Sequence, residues 1–211
     1  MTASTSDLVL RRAVSSHKPV SRDETQAKLD VRSRAAVQVK PGDLYTVADR
    51  IEEKAVSHAG NDFIIYGDQR FSYAEVDARA NQVAHALHAR GLRCGDVCAL
   101  AMENRPEFFF YWFGLAKLGV VTAVINTQVS GRPLVHALEA AGAKQIVMGE
   151  ECLGLLTATE LPAGMVHWLW PDAEKPAAPS LRALCSLDLE AAANSASGDN
   201  PPAEWRAGLV A

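Results

Sequence analysis

Residues 97–125 read VCALAMENRPEFFFYWFGLAKLGVVTAVI and carry the strongest structural signal in the chain. Two apolar runs of strand length, 97–102 and 120–125, enclose a polar turn and a longer apolar segment. Runs that are apolar at nearly every position are typical of parallel strands buried on both faces. Pro106 is favoured in the first turn of a helix, and residues 108–118 are apolar on almost every side. The stretch therefore predicts a strand, a buried helix and a second strand.

The segment before this unit carries local signals for two helices and a hairpin. One helix is predicted to begin at Thr46. Residues 63–66 and 70–73 are rich in aromatic and β-branched side chains and flank a glycine-containing loop, a pattern that indicates a β-hairpin. Ser72 is followed three residues later by Glu75, which is the spacing of a capping box and predicts the start of the second helix.

Strands and helices continue to alternate after residue 125. A helix is predicted over residues 133–141, a strand over 144–148 and another strand over 165–170. Alternation of this kind indicates an α/β fold with a parallel, partly mixed sheet covered by helices. Beyond residue 170 the sequence predicts one helix over residues 181–193 and a linker-like stretch over 195–202.

Charge and composition divide the chain into three predicted parts. Residues 1–40 contain 8 Lys and Arg against 4 Asp and Glu, a net +4, so the rest of the chain carries −8 of the total of −4. We predict a flexible basic N-terminal arm over residues 1–44 and an α/β subdomain over 45–170. Residues 171–211 hold five Pro and many Ala, and we expect a linker-like segment leading to a missing remainder.

The overall composition excludes several classes of protein. A pI near 5.9 argues against a dedicated nucleic-acid-binding protein. Four Cys in 211 residues are too few for a disulfide framework, which favours a reducing compartment. The longest strongly apolar run, residues 108–116, is far shorter than the roughly 20 residues needed to span a bilayer. The N-terminus lacks the apolar core of a signal peptide, and we expect a cytoplasmic protein.

Nucleotide-binding motifs are missing from the turns where an α/β sheet would carry them. Residues 103–106 follow the first strand without a glycine, and residues 126–131 follow the second with only one. A dinucleotide fingerprint needs a glycine-rich turn there. The sequence also contains no GxxxxGK[ST] run. A nicotinamide-dependent oxidoreductase is therefore disfavoured.

The sequence favours neither a metal site nor a reactive thiol. His85, His88, Cys94 and Cys98 lie close in the sequence. On the predicted helix, however, His85 points away from the apolar stripe and His88 lies at its flank, while Cys98 lies in an apolar strand. Four ligands from such different surroundings do not easily converge on one ion. Cys94 is the one thiol expected in an exposed turn, and nothing in the sequence gives it an activating partner.

The turn at residues 104–107 lies where open α/β sheets place ligands, just past the carboxyl end of a strand. We favour a simpler role, in which Asn104 or Arg105 caps the following helix and Glu107 complements the positive end of its dipole. Phe109, Trp112 and Phe113 are compatible with an apolar pocket, but aromatic side chains on an enclosed helix more often belong to the core.

Several of these stretches together resemble the AMP-forming acyl-CoA synthetases. The more specific ones resemble the branch of fatty-acid transport proteins and long- and very-long-chain acyl-CoA synthetases. The resemblance covers residues 45–150 well and 165–211 weakly. The stretches that carry it are residues 71–76, 91–100, 103–108, 112–121, 125–127, 131–134, 136–138 and 142–144.

The resemblance implies the N-terminal subdomain of an adenylate-forming ligase. Such an enzyme joins a long-chain fatty acid to ATP, releases pyrophosphate and transfers the acyl group to coenzyme A, with Mg²⁺ neutralising phosphate charge. The family's Ser/Thr/Gly-rich phosphate loop, its acidic Mg²⁺ residue, its ribose-binding Asp and its catalytic Lys have no match in this sequence. We therefore assign no catalytic, cofactor-binding or metal-binding residue, and we expect the chain to be inactive alone.

Two alternatives to the ligase fragment remain open: an acyl-binding module and a protein-interaction module. The chain is compatible with a stand-alone acyl-binding or protein-interaction module. A separately encoded remainder of the enzyme is a further expected partner. Nucleic acid is not expected as a partner, and contact with the inner face of a membrane would be peripheral.

Overall fold

The computed structural model describes residues 21–37, 45–157, 159–172, 176–185 and 187–207. The chain divides into two compact units, residues 1–44 and 45–211. In the first unit, helix α1 spans Arg22–Val37, which the sequence analysis did not predict. Its side chains are exposed from residue 22 to residue 34. The rest of the predicted N-terminal arm lies outside the described residues, and its flexibility stays a prediction.

The second unit alternates strands with helices, as predicted. In chain order its elements are α2 (Val47–Ser57), β1 (Asp62–Tyr66), β2 (Gln69–Ser72), α3 (Tyr73–Ala89), β3 (Val97–Ala101), α4 (Pro106–Lys117), β4 (Val121–Val124), α5 (Arg132–Ala141), β5 (Gln145–Gly149), a 3₁₀ turn (Glu150–Cys152), α6 (Gly154–Thr157), β6 (Val166–Trp170), α7 (Pro179–Arg182), β7 (Leu187–Asp188), α8 (Leu189–Asn194) and a 3₁₀ turn (Ala203–Trp205).

The strands form one parallel sheet and one separate hairpin. The sheet has the order β4-β3-β5-β6-β7, and all four of its neighbouring pairs are parallel. The hairpin pairs β1 with β2 in antiparallel fashion. The chain is therefore an α/β protein, and within the described residues antiparallel pairing is confined to the hairpin.

Alternate residues of each sheet strand enter two different cores. In β3, Cys98 and Leu100 pack into the core shared with α2, α3, α4 and α8. Ala99 and Ala101 face the other core, which α5, α6 and α7 cover. This two-sided burial explains why the central strands are continuously apolar, because neither face of the sheet is available to water.

Short-range signals place the helix starts correctly. Thr46 and Ser72 both form complete capping boxes, the first with Asp49 and the second with Glu75. Helices α3 and α4 then approach closely at Gly114. A Cβ atom there would lie 2.8 Å from Val83 Cγ1 and 2.9 Å from the Ala80 carbonyl oxygen, so only glycine fits without a shift.

Two expectations about the sheet and its C-terminal side are wrong. Strand β4 is at the edge of the sheet, and Val121 and Val124 are 50% and 59% exposed rather than buried. The single helix predicted over residues 181–193 is divided between α7 and α8, with the short strand β7 between them. The stretch 195–202, predicted to be linker-like, contains no helix or strand and contacts α3, where Asn81 Nδ2 donates to the Gly198 carbonyl oxygen at 2.8 Å.

Candidate functional site at the carboxyl edge of the sheet

The carboxyl ends of the central strands meet at one edge of the sheet, which is where open α/β sheets hold ligands. From β3 the chain moves to β4 on one side, and β5 lies on the other side of β3. The connections that leave β3 and β5 therefore run in opposite directions along the sheet, and a crevice is expected between these two strands. The turns that follow β3, β5 and β6 bring residues 103–105, 150–151 and 171–172 together.

Arg105 is the centre of this edge. Its Nε lies 2.8 Å from Glu107 Oε2, and its Nη1 lies 3.0 Å from Glu151 Oε2 and 3.8 Å from Asp172 Oδ2. Its Nη2 donates to the Pro171 carbonyl oxygen at 2.9 Å. Burial opposes its charge, but the hydrogen bond to Glu107 and the surrounding carboxylates outweigh burial and raise the pKa of Arg105.

The expected capping role of this turn is wrong in one respect. Arg105 occupies the N-cap position of α4, yet in the described structure its side chain makes no capping hydrogen bond. It reaches across the edge to three carboxylates instead. Glu107 does lie in the first turn of α4, where a negative charge is favourable, and it is held there by Arg105.

Two glutamate side chains after β5 occupy this edge, with Glu151 directed towards the end of β3 and Glu150 towards the end of β6. Glu151 Oε1 accepts a hydrogen bond from the Glu103 backbone N–H at 2.9 Å. A Cβ atom at Gly149 would overlap the Glu151 carboxylate, so the glycine is what lets this side chain lie over the strand end. Glu150 is buried and accepts from the Asp172 N–H at 2.8 Å and from Arg182 Nε at 2.9 Å.

The residues at this edge do not fit a nucleotide triphosphate or coenzyme A. Five carboxylates lie here against two guanidinium groups, and phosphates would meet net negative charge. The Glu103 and Asp172 backbone N–H groups already donate to glutamates, so they cannot cradle a phosphate. Among the described residues, no group of three or more His, Cys, Asp or Glu is arranged to hold a metal ion.

An open groove lies beside this ion-pair cluster, at the ends of β3 and β4. Its volume is about 470 Å³. The Asn126 side chain accepts from the Gln128 backbone N–H at 2.9 Å and shapes the turn after β4. The groove is lined by Met102, Glu103, Asn104, Phe108, Val124, Ile125, Asn126, Thr127 and Gln128.

The two histidines and two cysteines that lie close in the sequence have separate surroundings in the structure. The His88 ring stacks on Trp205 with ring centroids 3.5 Å apart, and His85 Nε2 lies 3.0 Å from the Asp199 carbonyl oxygen. Cys98 is buried in β3, where burial raises the pKa of its thiol to about 12. Cys94 is half-buried in its turn.

The aromatic side chains of α4 contribute mainly to the core, as expected. Phe113 is buried, and Phe109 and Trp112 pack against it at the margin of the core. Phe113 also lines a pocket of about 230 Å³ between α2, the hairpin and α4.

A buried charge network that the sequence did not predict lies at the C-terminal end of α4, whereas Arg105 lies at its N-terminal end. Lys117 is fully buried and lies 3.0 Å from Glu52 Oε1 and 2.8 Å from Asp77 Oδ1. Arg206, 154 residues from Glu52, pairs with the same glutamate at 2.8 Å. The sequence feature that could have indicated this network is Lys117 itself, the single lysine in a helix that is otherwise apolar on nearly every side.

Residues 51–203 match the family described as AMP-binding enzyme, which is well over half of the chain. The chain belongs to the AMP-binding enzyme family. In the described part of this family member, no helix is long and apolar enough to cross a membrane.

Relatives of this AMP-binding enzyme chain include fatty-acid transport proteins. It is 40% identical to long-chain fatty acid transport protein 6 of Homo sapiens over 116 residues, 54% of this chain and 19% of the relative. The identity to the Mus musculus protein of that name is 36% over 149 residues, 69% of this chain and 24% of the relative. The chain therefore spans about a fifth to a quarter of the length of these relatives.

Solved structures place the fold among adenylate-forming enzymes. The N-terminal domain of FACL13 from Mycobacterium tuberculosis matches with a TM-score of 0.62 and 25% identity, covering 75% of this chain and 38% of that one. The anthranilate CoA ligase AuaEII also matches with a TM-score of 0.62, at 21% identity, covering 74% of this chain and 29% of that one. At this lower identity the likeness concerns the fold alone.

Proposed function

We propose that this chain supplies the N-terminal part of a long-chain fatty acid–CoA ligase. The ligase forms an acyl-adenylate from the fatty acid and ATP and then a thioester with coenzyme A. The observation that carries the proposal is the 36% identity over 149 residues to a long-chain fatty acid transport protein, and the AMP-binding match at 51–203 supports it. Long-chain fatty acid is the corresponding substrate.

These residues act as scaffold and do not form the adenylate alone. The carboxyl edge is acidic, Glu151 occupies the crevice between β3 and β5, and the sequence has no GxxxxGK[ST] run. ATP, Mg²⁺ and coenzyme A are bound by parts of the ligase that these 211 residues do not supply. A separately encoded remainder is the proposed partner, and the ligase works in the cytoplasm, peripheral to the inner face of the membrane.

ATP–pyrophosphate exchange with palmitate tests this proposal. The chain is assayed alone and after co-expression with a polypeptide that carries the phosphate loop and C-terminal domain of a long-chain ligase. We expect no exchange above a heat-denatured control for the chain alone, and exchange plus palmitoyl-CoA formation for the pair.

Two variants of the chain serve as controls for the activity of the co-expressed pair. Gly114→Val prevents the close approach of α3 and α4 and should abolish activity of the pair, whereas the exposed Lys144→Glu should leave it unchanged. Robust exchange by the chain alone overturns the scaffold role. A pair that neither associates nor makes palmitoyl-CoA overturns the ligase role.

A protein-interaction module is the second candidate, and the outer edge of β4 favours it. Val121 and Val124 are exposed on a strand whose outer edge has no partner strand within the described sheet. Such an edge is a template for pairing with another chain. Light scattering tests this: we expect association that rises with concentration and is reduced in Val124→Lys. A parent chain that stays monomeric at all concentrations contradicts the interaction role.

A further inference from the structure

A second concave site lies away from the carboxyl edge, between α2, the hairpin and α4. Its volume is about 230 Å³, and none of its lining residues lines the groove at the ends of β3 and β4. The pocket is lined by Val47, Arg50, Ile51, Lys54, Phe63, Tyr73 and Phe113.

The floor of this pocket is apolar and already in place. Ile51 and Phe113 are buried members of the core. The Phe63 ring lies 4.8 Å from the Tyr73 ring and 5.8 Å from the Phe113 ring, in tilted arrangements that aromatic pairs favour. Because these rings are fixed by core packing, a ligand would not have to organise them.

The rim of the same pocket is cationic. Arg50 and Lys54 are one helical turn apart on α2 and both line the opening. Arg50 Nη1 lies 3.2 Å from Glu53 Oε2, an exposed pair that leaves its other donors available. Among the described residues, no carboxylate lies within ion-pair distance of Lys54. The Lys54 ammonium interacts with the Glu53 carboxylate at longer range, without a contact ion pair, so the rim keeps a net positive charge beside the apolar pocket.

We propose that this pocket binds a free single-chain anionic amphiphile, with its carboxylate between Arg50 and Lys54 and the adjoining methylenes on the aromatic floor. The volume equals about eight liquid-water molecules at about 30 Å³ each, which suits a segment of chain and not a whole long-chain fatty acid. An aromatic floor with a cationic rim complements both ends of such a molecule. The site is independent of the ligase role, since it uses no ATP.

The shape of the site favours a free amphiphile over a lipid surface. Two of the apolar lining residues, Ile51 and Phe113, are buried, so a flat bilayer would have little contact with them. Of the apolar lining residues, only Val47 is exposed at the rim. Binding to anionic vesicles would depend on the same two cations, so the experiment must separate the two sources.

Calorimetric titration of the whole chain with decanoate, below its aggregation concentration, tests the proposal. We expect one saturable site, and much weaker binding of decyltrimethylammonium, which has the same chain length and the opposite head charge. Lys54→Glu should weaken decanoate binding by about tenfold or more, because it replaces a charged hydrogen-bond donor with a like charge. Lys54→Arg should retain binding, and the distant Lys144→Glu should not change it.

A second pair of variants tests the apolar rim without relying on Lys54. Val47→Asp places a carboxylate at the pocket mouth, in the first turn of α2 where it favours the helix. It should weaken decanoate binding, whereas Val56→Asp on the same helix, outside the pocket, should not. Equal binding of both head groups, equal losses in the variants and their controls, or binding only to phosphatidylglycerol vesicles would each overturn the proposal.

Discussion

Lys117 Nζ lies 2.8 Å from Asp77 Oδ1, and the lysine side chain is 0% exposed. The same ammonium lies 3.0 Å from Glu52 and donates to Asn200 Oδ1 at 2.9 Å. One buried charge therefore joins α4 to α2, to α3 and to a segment more than 80 residues further along. Residue 200 is thereby held against the helices that cover the sheet.

Lys117→Met should destabilise the fold strongly. It leaves the Asp77 carboxylate in a buried site without its ammonium partner, which costs about 3–5 kcal/mol in comparable buried pairs. Urea unfolding measures the loss. The exposed pair Arg70–Asp62 is the matched control, and Arg70→Met should cost about 1 kcal/mol or less. Equal losses in the two variants would contradict a special role for the buried pair.

The network around Arg206 predicts that stability falls in acid. Burial opposes ionisation of Glu52, but hydrogen bonds from Arg206 and Lys117 outweigh it, and the pKa of Glu52 lies below its ordinary value. A lowered pKa in the folded state gives stability that is present above the ordinary carboxyl range and is lost as pH falls through the folded pKa. We expect the free energy of unfolding to decrease from pH 5 to pH 3. The decrease should be smaller in Glu52→Gln, and identical slopes would refute the assignment.

Arg105 and Glu151 should be coupled at the carboxyl edge. Arg105→Met leaves Glu107, Glu151 and Asp172 together without their shared cation, and we expect a loss of about 2–3 kcal/mol. Adding Glu151→Gln should recover part of that loss, because it removes one of the repelling charges. A double-mutant cycle by urea unfolding measures the coupling, and strictly additive effects would mean that the pair does not interact.

The stacking of His88 on Trp205 predicts a second pH dependence nearer neutrality. Burial, followed by the charges of Arg93 and His85, lowers the pKa of His88 from its ordinary 6.5. The folded state therefore disfavours the charged ring, so stability is highest above pH 6.5 and decreases as pH falls from there to the folded pKa. NMR titration of the imidazole gives the pKa directly. In His88→Phe, which keeps an aromatic ring on Trp205, the decrease between pH 7 and pH 5.5 should be smaller.

Local sequence determined the parts of the fold that depend on neighbouring residues. The capping box at Ser72 and Glu75 needs only a spacing of three, and the hairpin needs two β-forming runs around a glycine. The continuous apolar run in β3 likewise predicts two buried faces, and both are present. Stretches such as 103–108 and 112–121 were enough to place the chain beside the acyl-CoA synthetases.

Tertiary structure alone decided the partners that lie far apart in the chain. Nothing near Arg105 reveals Glu151 and Asp172, which are 46 and 67 residues away and arrive because parallel strands end at a common edge. The exposure of Val124 depends on β4 being the last strand of the sheet, which an apolar run does not show. The packing of residues 198–206 depends on the buried Lys117 of α4. A buried charge is unfavourable without polar partners, and the tertiary structure supplies Asn200 as one of them.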